Sequence, residues 1–178
     1  METVKKTTWV LDPGHSELTF KVKHMMISNV KGEFKDFSID VIGEDILKSK
    51  IHATVEASSI NTNNEDRDNH LKAADFFDVE KHKNLSFTST SIKQTDDDEY
   101  ELKGVLTIKG ISKEVTLEME FGGINKDPWG NEKAGLSISG KINRKDWGLN
   151  WNTALETGGV LVSDEVKIYG DIQFVKQS

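Results

Sequence analysis

Apolar residues in this chain fall mostly on alternate positions. Leu18, Phe20, Val22 and His24 alternate with Glu17, Thr19, Lys21 and Lys23, the period-two pattern of a strand with one buried face. The return run places Val30, Gly32 and Phe34 on one parity but Phe37, Ile39 and Val41 on the other. A one-residue slip turns side chains to the opposite face, so a bulge or bend is predicted near Lys35-Asp36. Ile51, Ala53, Val55 and Ala57 alternate again, as do Leu102, Gly104, Leu106 and Ile108, then Val115, Leu117, Met119 and Phe121. Leu85 and Phe87 begin another strand; Leu136, Ile138, Gly140 and Ile142, then Val166, Ile168, Gly170, Ile172 and Phe174, finish the pattern. Asp12-Pro13-Gly14-His15, Ser28-Asn29, Gly43-Glu44-Asp45 and Lys109-Gly110-Ile111-Ser112 read as turns, and residues 125–131 as a longer loop. Seven to nine short strands joined by turns predict an all-β antiparallel fold.

One stretch departs from this. Residues 67–78, RDNHLKAADFFD, read as helical, with Asn63 or Asn64 available as a cap and Glu65 and Asp66 in the first turn. Leu71 and Ala74 share a face, and Phe76 and Phe77 follow as helical spacing ends. The reading is a short helical insertion near residues 65–75 that either seals a core edge or, in a barrel, lids its mouth.

Spacing alone leaves barrel and sandwich open, and the glycines lean toward a barrel. Gly32, Gly104, Gly140 and Gly170 fall on the apolar parity of separate strands, where glycine needs a reason. Two compatible readings stand: relief of tight coiling, or a hollow left for a long apolar ligand.

Length and charge narrow the classes. The 178 residues fit one domain, with residues 1–7 a flexible tail. Net charge is −7, from 23 basic and 30 acidic residues without a basic cluster, which argues against nucleic acid as a partner. There is no cysteine, hence neither disulfide nor thiol nucleophile. No signal peptide and no membrane-length apolar run is visible, so the expected location is cytoplasmic.

Chemistry is sparse. His15, His24, His52, His70 and His82 lack metal-ligand spacing, and neither a G-x-S-x-G elbow nor a phosphate loop is present. Asp66 and His70 stand i,i+4, with no serine nearby in sequence to complete a triad. His24 shares the inward parity and reads as a hydrogen-bonded core or rim histidine, or as a head-group contact. Asn143 to Gly148 reads as a turn with an anchoring tryptophan, or as a cation and an aromatic beside a mouth.

Several of these stretches together resemble the YceI family, the polyisoprenoid-binding or YceI-like proteins, from about Trp9 to Val175. They are Asp12-Pro13-Gly14-His15-Ser16 with Phe20, Val22 and His24-Met25; Ser28 to Phe34; Arg67 to Leu71; Asp75 to Asp78; Leu106 to Gly110; Ile142-Asn143-Arg144; and Asp164-Glu165-Val166. Ser38, Ala73, Lys83, Glu114 and Trp147 depart from the family pattern. The resemblance implies an extended, lipocalin-like antiparallel barrel of about eight strands that holds a long isoprenoid or similar lipid. It implies no catalytic machinery and suggests homodimers; with the histidine spacing above, neither a metal nor a cofactor is expected.

On that reading the lipid tail passes Leu18, Phe20, Val22, Phe34, Phe76, Phe87, Leu106, Ile108, Leu117 and Ile138. A polar head group, whether phosphate, quinone or amide, meets His24, Arg67, His70 or Arg144 at a mouth. Two rivals are a lipid-modifying enzyme using Asp66, Arg67 or His70, and a structural barrel that recruits a protein partner.

Overall fold

The computed structural model describes residues 9–24, 27–43, 45–73, 76–149 and 162–176. The alternating runs form eleven strands that join end to end into eight staves. β1 (Trp9–Leu11) and β2 (Glu17–His24) are one stave, interrupted by a 3-10 turn at Pro13–His15. β3 (Ser28–Phe34) and β4 (Phe37–Ile42) form the second, broken at Lys35-Asp36 as the parity switch predicts. β5 (Lys50–Glu56) and β6 (Ile60–Asn61) form the third, broken by a 3-10 turn at Ala57–Ser59. The two breaks lie side by side, where Lys35 N donates to Ser59 O and Glu56 N to Asp36 O. Each bend therefore satisfies backbone groups that the other exposes.

Five longer strands complete the ring: β7 (Asn84–Gln94), β8 (Glu99–Ile108), β9 (Ile111–Lys126), β10 (Glu132–Asn143) and β11 (Val162–Lys176). Every pairing is antiparallel, and β11 returns to the first stave, with Leu11 opposite Phe174 and Phe20 opposite Ile168. This closure makes the sheet a barrel and removes its edges. Lys109 and Gly110 join β8 to β9 with φ of 54° and 75°, both left-handed as the tightest hairpin turn requires. The expected long loop at 125–131 is shorter: β9 runs to Lys126, and the Asp127 carboxylate accepts from Trp129 N and Asn131 N, drawing residues 127–131 into a tight connection.

The helix α1 (Glu65–Lys72) starts at the predicted place, with Asn64 Oδ1 accepting from Arg67 N at 3.0 Å. It ends at Lys72, earlier than the pattern suggests, because the chain extends at Ala73. Ala74, Asp75, Met25 and the 1–7 tail lie outside the described residues. Phe77 N reaches back to Leu71 O, and Val79 N to Lys72 O. These bonds fold Phe76 and Phe77 beneath the helix, with ring centroids 5.0 Å apart.

Buried side chains gather in two groups, one toward each end. At one end Trp9, Val41, Ile46, Met119, Ala134 and Phe174 pack together, with Ile46 inserted by a 3-10 turn that Asp45 caps. At the helix end Phe34, Ile60, Phe76, Phe77, Ile108 and Trp147 form the second group.

Candidate ligand-binding cavity

Between the two groups the barrel is hollow. The cavity measures about 570 Å³, within the range of small-molecule sites. Its wall is overwhelmingly aliphatic and aromatic. Leu18, Phe20, Val22, Phe34, Phe76, Phe87, Leu106, Ile108, Leu117 and Ile138 all line it, because the inward parity of each strand turns the same way once the sheet closes. The wall also takes in residues that sequence reasoning read as strand but not as site: Phe37, Ile39, Ile51, Ala53 and Val55. Their alternation was the available signal. Leu71, Phe77 and Leu149 also line it.

The glycines require a correction. Gly32, Gly104, Gly140 and Gly170 are not bare openings into the hollow; a neighbour's side chain lies over each of them. A Cβ on Gly32 would stand 2.6 Å from Phe20 Cε1, and one on Gly170 2.8 Å from Ile138 Cγ1. At Gly104 it would meet Phe87 Cε1 at 2.7 Å and the Thr88 carbonyl oxygen at 2.5 Å, and at Gly140 it would strike Leu117 Cδ2. The missing side chains let rings and branched tips lie flat on the strands, an aromatic cover of sheet glycines. They shape the cavity indirectly, through the poses of Phe20, Phe87, Leu117 and Ile138.

Polar lining is concentrated on one segment. Thr62, Asn64, Asp66, Arg67 and His70 all reach the cavity from the β6–α1 stretch. Arg67 Nε donates to Thr62 Oγ1 and Nη2 to Thr62 O, both at 2.8 Å. Thr62 N and Oγ1 donate in turn to Asp68 Oδ1. This chain of bonds fixes the guanidinium by its Nε edge, while among the described residues Nη1 makes no hydrogen bond and Arg67 no ion pair. The cap therefore holds a pre-oriented cation at a cavity mouth, with its outer donors available to a polar atom. Thr62 carried no signal in the sequence, since its role exists only through Arg67 and Asp68.

Arg144 also lines the cavity, but its surroundings differ. The side chain is 1% exposed; Nε donates to Ser163 O at 3.0 Å and Nη1 to Leu149 O. Asp164 Oδ1 is 3.8 Å from Nη2, at ion-pair rather than hydrogen-bond distance. Burial pushes the Arg144 pKa below its ordinary value, and Asp164 opposes that shift. The residue fastens the start of β11 and the stretch after β10. Trp147, one turn along, donates from Nε1 to Leu106 O at 2.9 Å and is buried, which makes it the anchoring tryptophan. His24 ends β2, and its side chain falls outside the described residues.

Asp66 and His70, the pair of the enzyme alternative, both reach the same mouth. Among the described residues no three His, Asp or Glu side chains are grouped to hold a metal ion, and no helix is long and apolar enough to cross a membrane.

Comparison with known proteins agrees with this architecture. A UPF0312 protein of Staphylococcus aureus (strain MSSA476) is 42% identical over 171 residues, covering 94% of this chain and 97% of the relative. The crystal structure of a Campylobacter jejuni YCEI protein is 36% identical, covers 89% of this chain and 91% of that one, and superposes with a TM-score of 0.76. A polyisoprenoid binding domain from Saccharophagus degradans, only 13% identical, shares the fold over 97% of this chain and all of its own, also at 0.76. The YceI-like domain pattern matches residues 9–174, the span from the first strand to near the end of the last, and the chain is therefore a member of the YceI-like family.

Proposed function

We propose that this protein is a non-catalytic carrier of a long apolar molecule, an isoprenoid or comparable lipid, held in the barrel with its polar end at Arg67 and His70. The observation that carries the reading is the hollow itself: an apolar cavity of about 570 Å³ whose polar lining is concentrated on one segment, the β6–α1 stretch. Each methylene taken from water contributes roughly 0.8 kcal/mol before ordering costs. The tail thus supplies most of the affinity, and the Arg67 donors select and orient the head group. Family membership and the neighbouring polyisoprenoid binding domain support the same ligand class.

Organic extraction of the purified protein followed by mass spectrometry tests this directly. The expected result is one long-chain species in stoichiometric amount, released unchanged. Absence of any lipid, together with failure of the protein to retain added polyprenyl phosphate, isoprenoid quinone or fatty amide, would refute it. Turnover of such a lipid to product, lost on Asp66→Asn, would establish the enzyme instead.

A further inference from the structure

The register of four adjoining strands sets lysines side by side on the outside of the barrel. Lys141 lies directly opposite Lys167, Lys167 opposite Lys21, and Lys21 opposite Lys31. The inward parity of these strands belongs to cavity residues such as Ile142, Ile168, Phe20 and Val30, so all four lysines point outward in one row. At ordinary strand spacing the row is roughly 15 Å long.

Like charges directly opposite one another destabilise a sheet, and among the described residues none of the four lysines has an ion-pair partner. Glu165 and Glu33 flank the row two residues along their strands and, among the described residues, form no ion pair with it. The chain has acidic side chains in excess, with a net charge of −7, yet its densest acidic run, Asp96 to Glu99, sits at the β7–β8 turn, at the opposite end of the barrel. A surface groove of about 380 Å³ runs beside the row, lined by Lys21, Lys31 and Tyr169 and, farther along the same strands, by Glu17 and Glu33. Just past Lys23 the β2–β3 tip presents Ile27, 86% exposed. The pairing of His24 with Val162 and with Ser28 puts that tip at the same end of the barrel as α1 and the polar mouth.

We propose that the outer face of β10, β11, β2 and β3 docks on a membrane surface bearing anionic head groups, with Ile27 entering the acyl boundary. The lysine row matches a layer of negative head groups, and an exposed aliphatic tip beside cations is how proteins lie on such a surface. An acidic macromolecule would complement the lysines but leave Ile27 without a role. The proposal builds on the carrier reading, since this posture turns the mouth toward the bilayer, but its test does not involve the cavity.

Co-sedimentation with vesicles tests it. The protein is expected to bind vesicles of equal parts phosphatidylcholine and phosphatidylglycerol, less so as salt rises, and to ignore phosphatidylcholine alone. Each lysine at the surface contributes about fivefold, so Lys21→Gln with Lys167→Gln should weaken partitioning about 30-fold. Its melting temperature should not fall, because repulsion is relieved. Ile27→Asn should weaken partitioning about tenfold. Lys50→Gln with Lys93→Gln removes the same charge from exposed positions elsewhere and should change little. The proposal is overturned if the parent protein ignores the anionic vesicles, if the control pair loses as much as the row, or if Ile27→Asn partitions like the parent. A protein that docks on vesicles yet carries no lipid would refute the carrier and leave this surface standing.

Discussion

Ala53 is the smallest side chain on a rung that runs around the hollow. Ile39, Ala53, Phe87 and Leu106 face one another in sequence across β4, β5, β7 and β8, and all four line the cavity. Ala53→Phe would set a ring into empty space on a strand, where aromatic residues are well accommodated. The ring displaces about four methylenes of a threaded tail; at roughly 0.8 kcal/mol each the loss is about 3 kcal/mol. That corresponds to about a 150-fold rise in Kd. The barrel itself should hold, since the ring fills a void rather than overpacking a filled core. Fluorescence titration with a conjugated polyene fatty acid reads the affinity, and circular dichroism melting reads the fold. Ser38→Phe, on the outer face of β4, is the matched control and should bind as the parent does. An unchanged Kd in an Ala53→Phe protein with a parental melt would show that no tail passes this rung, and the threading argument would fail.

Two further expectations concern the frame. Gly104→Ala places its Cβ 2.5 Å from the Thr88 carbonyl, which is backbone and cannot swing aside, whereas Gly135→Ala meets nothing within 4 Å; the first should cost about 1–3 kcal/mol in denaturant melts and the second far less, and equal losses would contradict the covered-glycine account. The hydrogen bond from His15 holds the Asp12 carboxyl below its ordinary 3.8, helped by Gly14 N and Lys133. With the folded pKa depressed, the stabilisation is present above about pH 3.8 and is lost as pH falls through the lower folded value; it is small because the pair is close to water. Asp12→Asn should therefore be slightly less stable at neutral pH and indistinguishable in strong acid, and an Asp12 carboxyl titrating at or above its ordinary value by NMR would contradict this.

The parity switch between Phe34 and Phe37 required a break at Lys35-Asp36 whatever the rest of the chain did, because side-chain direction in a strand is local. The same holds for the Asn64 cap, for the Lys109-Gly110 turn and for the inward set of Leu18, Phe20 and Val22. Sequence pattern reached the lining residues for this reason: each strand reports its own buried face. It could not say that the break in the second stave would lie beside the 3-10 turn in the third, since that contact joins residues far apart in the chain.

What the sequence determined by itself was therefore one-dimensional: strand parity, the turns at Pro13–His15 and Lys109-Gly110 though not the one read at Ser28-Asn29, which is strand, the start of the helix, and a composition that argued against nucleic acid and offered no recognisable metal or thiol chemistry. Tertiary structure alone decided closure, through the pairing of β1 and β2 with β11, and with closure came a hollow. It decided that four interior glycines would be roofed by Phe20, Phe87, Leu117 and Ile138 rather than left open, because cross-strand register sets which side chain overlies which backbone. It also divided two arginines that look alike in sequence: Arg67 is held by Thr62 where it lines the cavity, while Arg144 is buried and bonded to the backbone of Leu149 and Ser163. Partners distant along the chain set those environments, and local pattern carries no record of them.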